Sequence, residues 1–391
     1  MTRTSTVLCS RTWVLDEAVD PLVFLGPGGF AWFAQGFGLA TAGVAARVSS
    51  ADATEVLADI AGDDPVGLPG TGPLAVGALG FHGNGHLIVP ARIAGRTADG
   101  VSWVTEVGPA DESAEGWPAT PLPPPRPPDR RRWSAAVEEA LARIADGRLS
   151  KVVLAREVTV DVRRPLEVAT VVDRLRHEQP ACFTYAAGGY VGASPELLAR
   201  RRGLDVVSRP MAGTVAQGGS PGDDHRLVAA MASSEKEQNE HRLVVGDVLA
   251  ALSLLCDDVC GADEPDVVRL STVAHLATTV RGRLRDLSVS ALDVAAHLHP
   301  TPAVAGVPRE AALAAIAELE DFDRGLYAGP VGWVDSRGDG DWAVALRSAT
   351  LDGARARLVA GAGIVAGSDP DGEWDETESK LAAMRSALTQ D

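Results

Sequence analysis

The sequence predicts an α+β fold with antiparallel sheets. Short β-branched segments recur between turn residues, neighbouring segments are spaced as hairpins, and regular strand–helix–strand units are few. The 391 residues are 46% hydrophobic, enough to bury a large core, and the length admits one large domain or two ordinary ones.

Residues 1 to about 117 mix glycine and proline with apolar runs such as Pro21-Leu-Val-Phe-Leu-Gly and Leu74-Ala-Val-Gly-Ala-Leu-Gly-Phe. They read as strands and turns, with one helix near 53–61. The stretch 118–132 is too rich in proline for helix or central strand and is expected as an extended surface connection; an SH3-type ligand is the alternative reading. Nothing suggests that the first 117 residues fold alone. The chain is therefore read as a single domain, 1–391, with a variable N-terminal segment (residues 1–117), the connection 118–132 and a core 133–391.

Within that core, Trp133, Val137, Ala140, Leu141 and Ile144 share one side of a helix over 133–147, which Gly147 ends. The segment 150–162 is a strand by its β-branched content, followed by a helix near 166–177. Two strands flank Gly188-Gly-Tyr-Val-Gly-Ala-Ser-Pro-Glu. A long helix is expected over 234–255, a strand-like stretch over 272–284, and helices near 290–298 and 308–319. The last third predicts strands at 328–335, 341–351 and 355–361 and a closing helix from about 373 to 387.

The formal charge is −17, so a polyanion such as nucleic acid would be repelled. A small anionic substrate needs only a local positive pocket or a metal. No apolar run has the length of a membrane span, and the N-terminus lacks the apolar stretch of a signal peptide, so a cytoplasmic location is expected. Four cysteines (Cys9, Cys182, Cys256 and Cys260) are too few and too scattered for a disulfide framework. Cys256 and Cys260 are expected at a helix end as two small half-buried side chains rather than a redox or metal pair.

Several groups could carry chemistry. On a helix, Glu237 and Glu240 project their carboxylates from one face, and Glu376 begins the last helix. Carboxylates from two helices can hold a hard cation such as Mg²⁺. The alternative is that they serve helix dipoles and solvated surface. A zinc site on Glu237, Glu240 and His241 lacks the two-histidine spacing. The run Leu358-Val-Ala-Gly-Ala-Gly-Ile-Val-Ala-Gly has the look of a dinucleotide fingerprint, but no second β-α-β half follows it. Gly361 and Gly363 read better as places where backbone N–H groups approach an anion. Lys151 opens an apolar strand. A buried ammonium is costly, so a buried lysine here suits a general base, whereas a lysine snorkelling from a strand end is the structural alternative. Glu196, after Pro195 between two strands, is either a protonated general acid or a turn carboxylate. Arg347 interrupts an apolar strand, and its fork suits a carboxylate of a ligand or of the protein.

Taken in order, these stretches resemble the chorismate-utilising enzymes: isochorismate, salicylate, anthranilate and aminodeoxychorismate synthases. The matching blocks are Lys151-Val-Val-Leu-Ala-Arg, Gly192-Ala-Ser-Pro-Glu-Leu-Leu, Ser208-Arg-Pro-Met-Ala-Gly-Thr, Ser234-Glu-Lys-Glu-Gln-Asn-Glu-His, Val273-Ala-His-Leu, Leu298-His-Pro-Thr-Pro-Ala-Val-Ala-Gly, Arg324-Gly-Leu-Tyr-Ala-Gly, Ala345-Leu-Arg-Ser-Ala and Gly361-Ala-Gly-Ile-Val. They cover about 133–391.

The resemblance implies a large two-sheet antiparallel β-sandwich surrounded by helices, with a central site and Mg²⁺ as cofactor. It implies Glu240 and Glu376 as metal ligands, with Glu237 beside them, the metal binding the ring carboxylate of chorismate. Arg347 and Tyr327 would hold the enolpyruvyl carboxylate, Thr214, Gly361 and Gly363 would add hydrogen bonds, Lys380 positive charge, and His275 would lie near the ring carboxylate. Lys151 would be the base for an attacking water and Glu196 the acid for the departing hydroxyl. The aminating relatives generally lack a lysine at position 151. The block around Ala303 is similar to isochorismate synthases, whereas salicylate synthases tend to have threonine there. The expectation is thus an isochorismate synthase, serving siderophore or menaquinone synthesis, with salicylate synthase as alternative and an aminating subunit third. No obligatory protein partner and a monomer are expected. One departure is Ser379, where some relatives carry an acidic residue.

Overall fold

The computed structural model describes residues 7–110, 116–117, 121–125, 127–217 and 220–389. Of the expected proline-rich connection, 118–120 and 126 fall outside these. Residues 121–125 and 127–129 are neither helix nor strand. The next helix begins earlier than periodicity suggests, at Arg130, because the Asp129 side chain accepts the Arg132 N–H and caps it.

A twelve-stranded and a nine-stranded sheet face each other, and a three-stranded sheet stands apart. Pairing is antiparallel except between Cys9–Val14 and Ala61–Asp63, which run parallel. The N-terminal strands are hydrogen-bonded into both large sheets: Phe30–Ala34 pairs with Phe183–Ala187, and Leu74–Ala78 with Pro330–Asp335. Between the sheets lies the main core. Trp32 and Trp103 from one sheet and Trp333 and Trp342 from the other are fully buried. Phe37 stacks on Trp333 at 5.7 Å between centroids, across the interface.

Three departures from the sequence reading shape the site. The expected strand 341–351 is two strands in different sheets. Gly340–Val344 belongs to the nine-stranded sheet and Ser348–Asp352 to the twelve-stranded one, so the chain crosses at 345–347. The stretch 272–284 likewise divides into Val273–Ala277, in the small sheet, and Val280–Leu284, in the nine-stranded one. Each half-buried run was continuous in composition, and only the sheet partners separate its halves. The helix Pro221–Ser233 was not anticipated. Its signals are weak, a Ser220 cap and only Val228 and Met231 buried. Cys256 and Cys260 are not at a helix end but on the edge strand Cys256–Gly261, where Cys256 is buried and Cys260 exposed.

Two helices carry the acidic residues. Glu235–Leu252 is capped by Ser234, and His241, Val244, Val248 and Leu252 form its buried stripe. Glu237 and Glu240 continue that stripe one turn toward the N-terminus. Pro370–Thr389 packs through Trp374, Thr377, Leu381 and Met384, which places Glu376 beside the buried face. Among the described residues no helix is long and apolar enough to cross a membrane.

Candidate active site

A cleft of about 730 Å³ opens where the small sheet, the two acidic helices and the ends of the long strands meet. Its walls include Glu196, Thr214, Glu240, His275, Ala303 and Tyr327, joined by Arg347, Gly361, Gly363, Glu376 and Lys380. Lys151 and Glu237 sit immediately behind. The Lys151 side chain is 1% exposed with Nζ 2.9 Å from Glu240 Oε1. Glu237 Oε2 accepts the Thr214 N–H at 3.2 Å. Thirteen residues from ten separate stretches of sequence thus converge on one place.

The acidic side of the cleft is an alternation of carboxylates and amines. Glu240 is paired with Lys151, Glu376 with Lys380 at 2.6 Å, and the buried Glu373 with Lys236 at 3.2 Å. Lys380 also donates to Gly361 O at 2.9 Å. Burial raises the Glu237 carboxyl, and repulsion from Glu240 and Glu376 adds to it. Burial and the nearby Glu376 raise Glu373 in the same direction. Mutually repelling carboxylates at a cleft favour a cation.

Among the described residues, however, no three acidic, histidine or cysteine side chains converge as a metal cage. Glu240 and Glu376 line the cleft, and Glu237 sits behind them with Oε2 accepting the Thr214 N–H. Two carboxylates with room for water and ligand oxygens still suit Mg²⁺, which usually keeps several waters. His241, the histidine of the zinc alternative, is buried with Nε2 2.7 Å from Thr278 Oγ1. Ser379, the departure noted in the sequence, spends its hydroxyl on Asp375 O.

The opposite side is built to receive an anion. Arg347 is the crossover residue and adopts φ 51°, a left-handed backbone rare outside glycine. Its Nη2 contacts His275 Nε2 at 2.9 Å, and its buried Nη1 has no hydrogen-bond partner among the described residues. His275 Nδ1 is 3.0 Å from Gly213 O, so that nitrogen carries the proton and Nε2 accepts from Arg347. Burial and the adjacent Arg347 hold His275 well below its usual range, hence neutral. His275 therefore orients the guanidinium, a bond that spacing in the sequence could not reveal. Gly213 adopts φ 76°, a left-handed backbone that favours glycine, and a Cβ there would stand 3.0 Å from Glu237 Oε2.

Glu196 is 3% exposed. Burial pushes its carboxyl up to about 8, against the pull of Lys151, the Met211 amide and Lys380. The glycines have a steric reason. A Cβ on Gly363 would stand 2.5 Å from Glu240 Oε1 and 3.2 Å from Lys151 Cε; one on Gly361 would stand 3.1 Å from the Tyr327 hydroxyl. Sequence reasoning missed the apolar stretch of the wall, Val153, Met211, Leu346 and Val359, because apolar residues on strands read as ordinary core.

Fold and cleft together define an α+β sandwich enzyme with a carboxylate–lysine cluster facing a buried arginine. Residues 110–389 match the family described as chorismate binding enzyme, and the chain belongs to that family. It is 41% identical over 339 residues to a Mycobacterium tuberculosis protein provisionally named isochorismate synthase MenF, covering 82% of this chain and 87% of that one. Isochorismate synthase DhbC of Bacillus subtilis is 41% identical over 280 residues, covering 69% of this chain and 70% of its own. The crystal structure of MenF, the menaquinone-specific isochorismate synthase of Escherichia coli, superposes with a TM-score of 0.81 at 29% identity, covering 98% of this chain and 95% of that one.

Proposed function

We propose that this chain converts chorismate to isochorismate. One observation carries the reading: a buried carboxyl raised to about 8, Glu196, and the unpartnered Nη1 of buried Arg347 line the same cleft. Relatives at 41% identity bear the name isochorismate synthase.

In this reading the partnerless Arg347 N–H and the Tyr327 hydroxyl hold the enolpyruvyl carboxylate, and His275 keeps the guanidinium aimed. Glu240 and Glu376 would hold Mg²⁺, which supplies charge neutralisation at the ring carboxylate. Thr214 and the backbone at Gly361 and Gly363 add polar contacts, and Lys380 adds positive charge. Ala303 contributes only a methyl group to the wall. Water adds at ring C2 and loses a proton to Lys151; the double bonds shift, and the C4–O bond breaks as Glu196 gives its proton to the departing hydroxyl. One water enters and one leaves, so the reaction is an isomerisation. Lys151 takes that proton only as a free amine, so its ammonium, paired with Glu240 Oε1 at 2.9 Å, must first pass a proton to Glu240 or to solvent. Glu196 must hold its proton until the bond breaks, as its burial favours.

The test is incubation of the purified chain with chorismate and Mg²⁺, with neither ammonia nor a protein partner. Isochorismate is the expected product. Enzyme-dependent salicylate as the main product would move the assignment to a salicylate synthase, and turnover that requires a glutaminase would move it to the aminating branch.

A further inference from the structure

Arg324 belongs to one of the family-like blocks, yet it does not line the cleft. Its side chain is 3% exposed, and all its bonds go to the walls. Nη1 donates to Val304 O at 2.8 Å, Nη2 to Val153 O at 2.8 Å and to Glu320 Oε1 at 2.6 Å, and Nε to Glu320 Oε2 at 2.9 Å. Glu320 in turn accepts the Ala155 N–H at 2.7 Å. The guanidinium lies 4.3 Å from the Phe81 ring centroid, and Phe81 O accepts from His299 Nε2 at 2.8 Å. The Arg324 carbonyl accepts the Tyr327 N–H at 3.0 Å.

Three blocks of sequence therefore meet at one fork. Val153 is two residues beyond Lys151, Val304 follows Ala303, and Tyr327 is a cleft residue. The loop and strand are also zipped together, Val153 N donating to Ala305 O at 2.8 Å. Gly306 lies so close to the strand that a Cβ there would meet Lys151 O at 2.2 Å.

We infer that Arg324, with Glu320, is a positioning residue for the reaction, setting the distance between the strand that presents Lys151 and the loop that presents Ala303. Naming Lys151 the base rests on the proposed function; the convergence on Arg324 does not. A lysine keeps the charge but cannot reproduce a planar fork that reaches two carbonyls and a carboxylate at once. Small displacements of reacting groups lower the chemical step more than ligand binding.

The experiment uses the full chain with Mg²⁺ and chorismate. R324K is expected to lower kcat by about tenfold or more with KM within about threefold, while still unfolding cooperatively. R324A, next to a neighbouring cavity of about 850 Å³ that Arg324 lines, is expected to regain kcat saturably with millimolar methylguanidinium and not with methylammonium. A kcat for R324K near that of the parent, or a rise in KM alone, overturns the inference. A crystal structure of R324K gives a reading independent of turnover: shifted Ala303 and Lys151 support it, and unmoved walls refute it. A parent chain that makes no isochorismate overturns the proposed function instead.

Discussion

Burial holds the Glu196 carboxyl at about 8, so at pH 7 it keeps its proton and can act as an acid. Its folded value lies above the ordinary 4.5, so its favourable contribution to stability is complete below 4.5 and is lost as pH rises through about 8. Two outcomes follow. Turnover should decline with a single ionisation near pH 8, and E196Q should remove activity while melting higher than the parent by a margin that grows from pH 6 to pH 9. A margin that shrinks with pH would contradict the assigned protonation state. K151A should likewise end turnover while isothermal titration still detects chorismate binding; a near-normal rate would remove Lys151 from the base role. At this scale the sequence offered Lys151 and Arg347 as candidates from their odd placement on apolar strands, and Glu196 from its place after Pro195 between two strands. It could not reveal the Lys151–Glu240 pair or the His275–Arg347 bond, because each joins residues more than seventy positions apart.

Gly363 lies on the strand Arg355–Ile364 in a backbone conformation that alanine can adopt, yet Glu240 occupies the space of its missing Cβ. G363A should therefore fold normally, with a melting temperature within a few degrees of the parent. It should lose roughly 100-fold in activity and need more Mg²⁺ for half-activation, since about 1 Å of displacement at a reacting site can cost that much. Unchanged activity would show that the carboxylate is free to move. The helices expected over 234–255 and near 290–298 are found at Glu235–Leu252 and Ala291–Leu298, whereas Pro221–Ser233 was missed. The crossing at 345–347 was not legible. A non-glycine left-handed residue costs on the order of 1 kcal/mol and is held only by surrounding structure, here including the Ala193 N–H donating to Arg347 O at 3.2 Å.

Across the whole molecule, an acidic chain of charge −17 sets Arg347 and Lys380 into the wall of one cleft, with Lys151 immediately behind, where the proposed anionic ligand would meet positive charge. The carboxylates proposed for Mg²⁺ are already paired with Lys151 and Lys380, so they do not rely on the cation for compensation. Chelation with EDTA should stop turnover, reversibly on adding Mg²⁺, while the melting temperature changes little. A large drop in melting temperature would instead mark the cation as structural. Mg²⁺ and chorismate together should raise the melting temperature in proportion to the logarithm of ligand concentration above Kd.

Periodicity and turn residues were enough to predict an α+β chain with antiparallel pairing; local patterns singled out Lys151, Glu196, Glu237, Glu240, Arg347, Gly361, Gly363 and Glu376, and the family resemblance added Thr214, His275, Ala303, Tyr327 and Lys380. These properties act over a few residues, where backbone geometry and side-chain type dominate. Which strands share a sheet, the separate three-stranded layer, the division of 341–351 between two sheets, and the bond from the Thr214 N–H to Glu237 were decided by tertiary packing. Those outcomes depend on contacts between distant segments, whose energies are set by burial and partner geometry and leave no pattern in the local sequence.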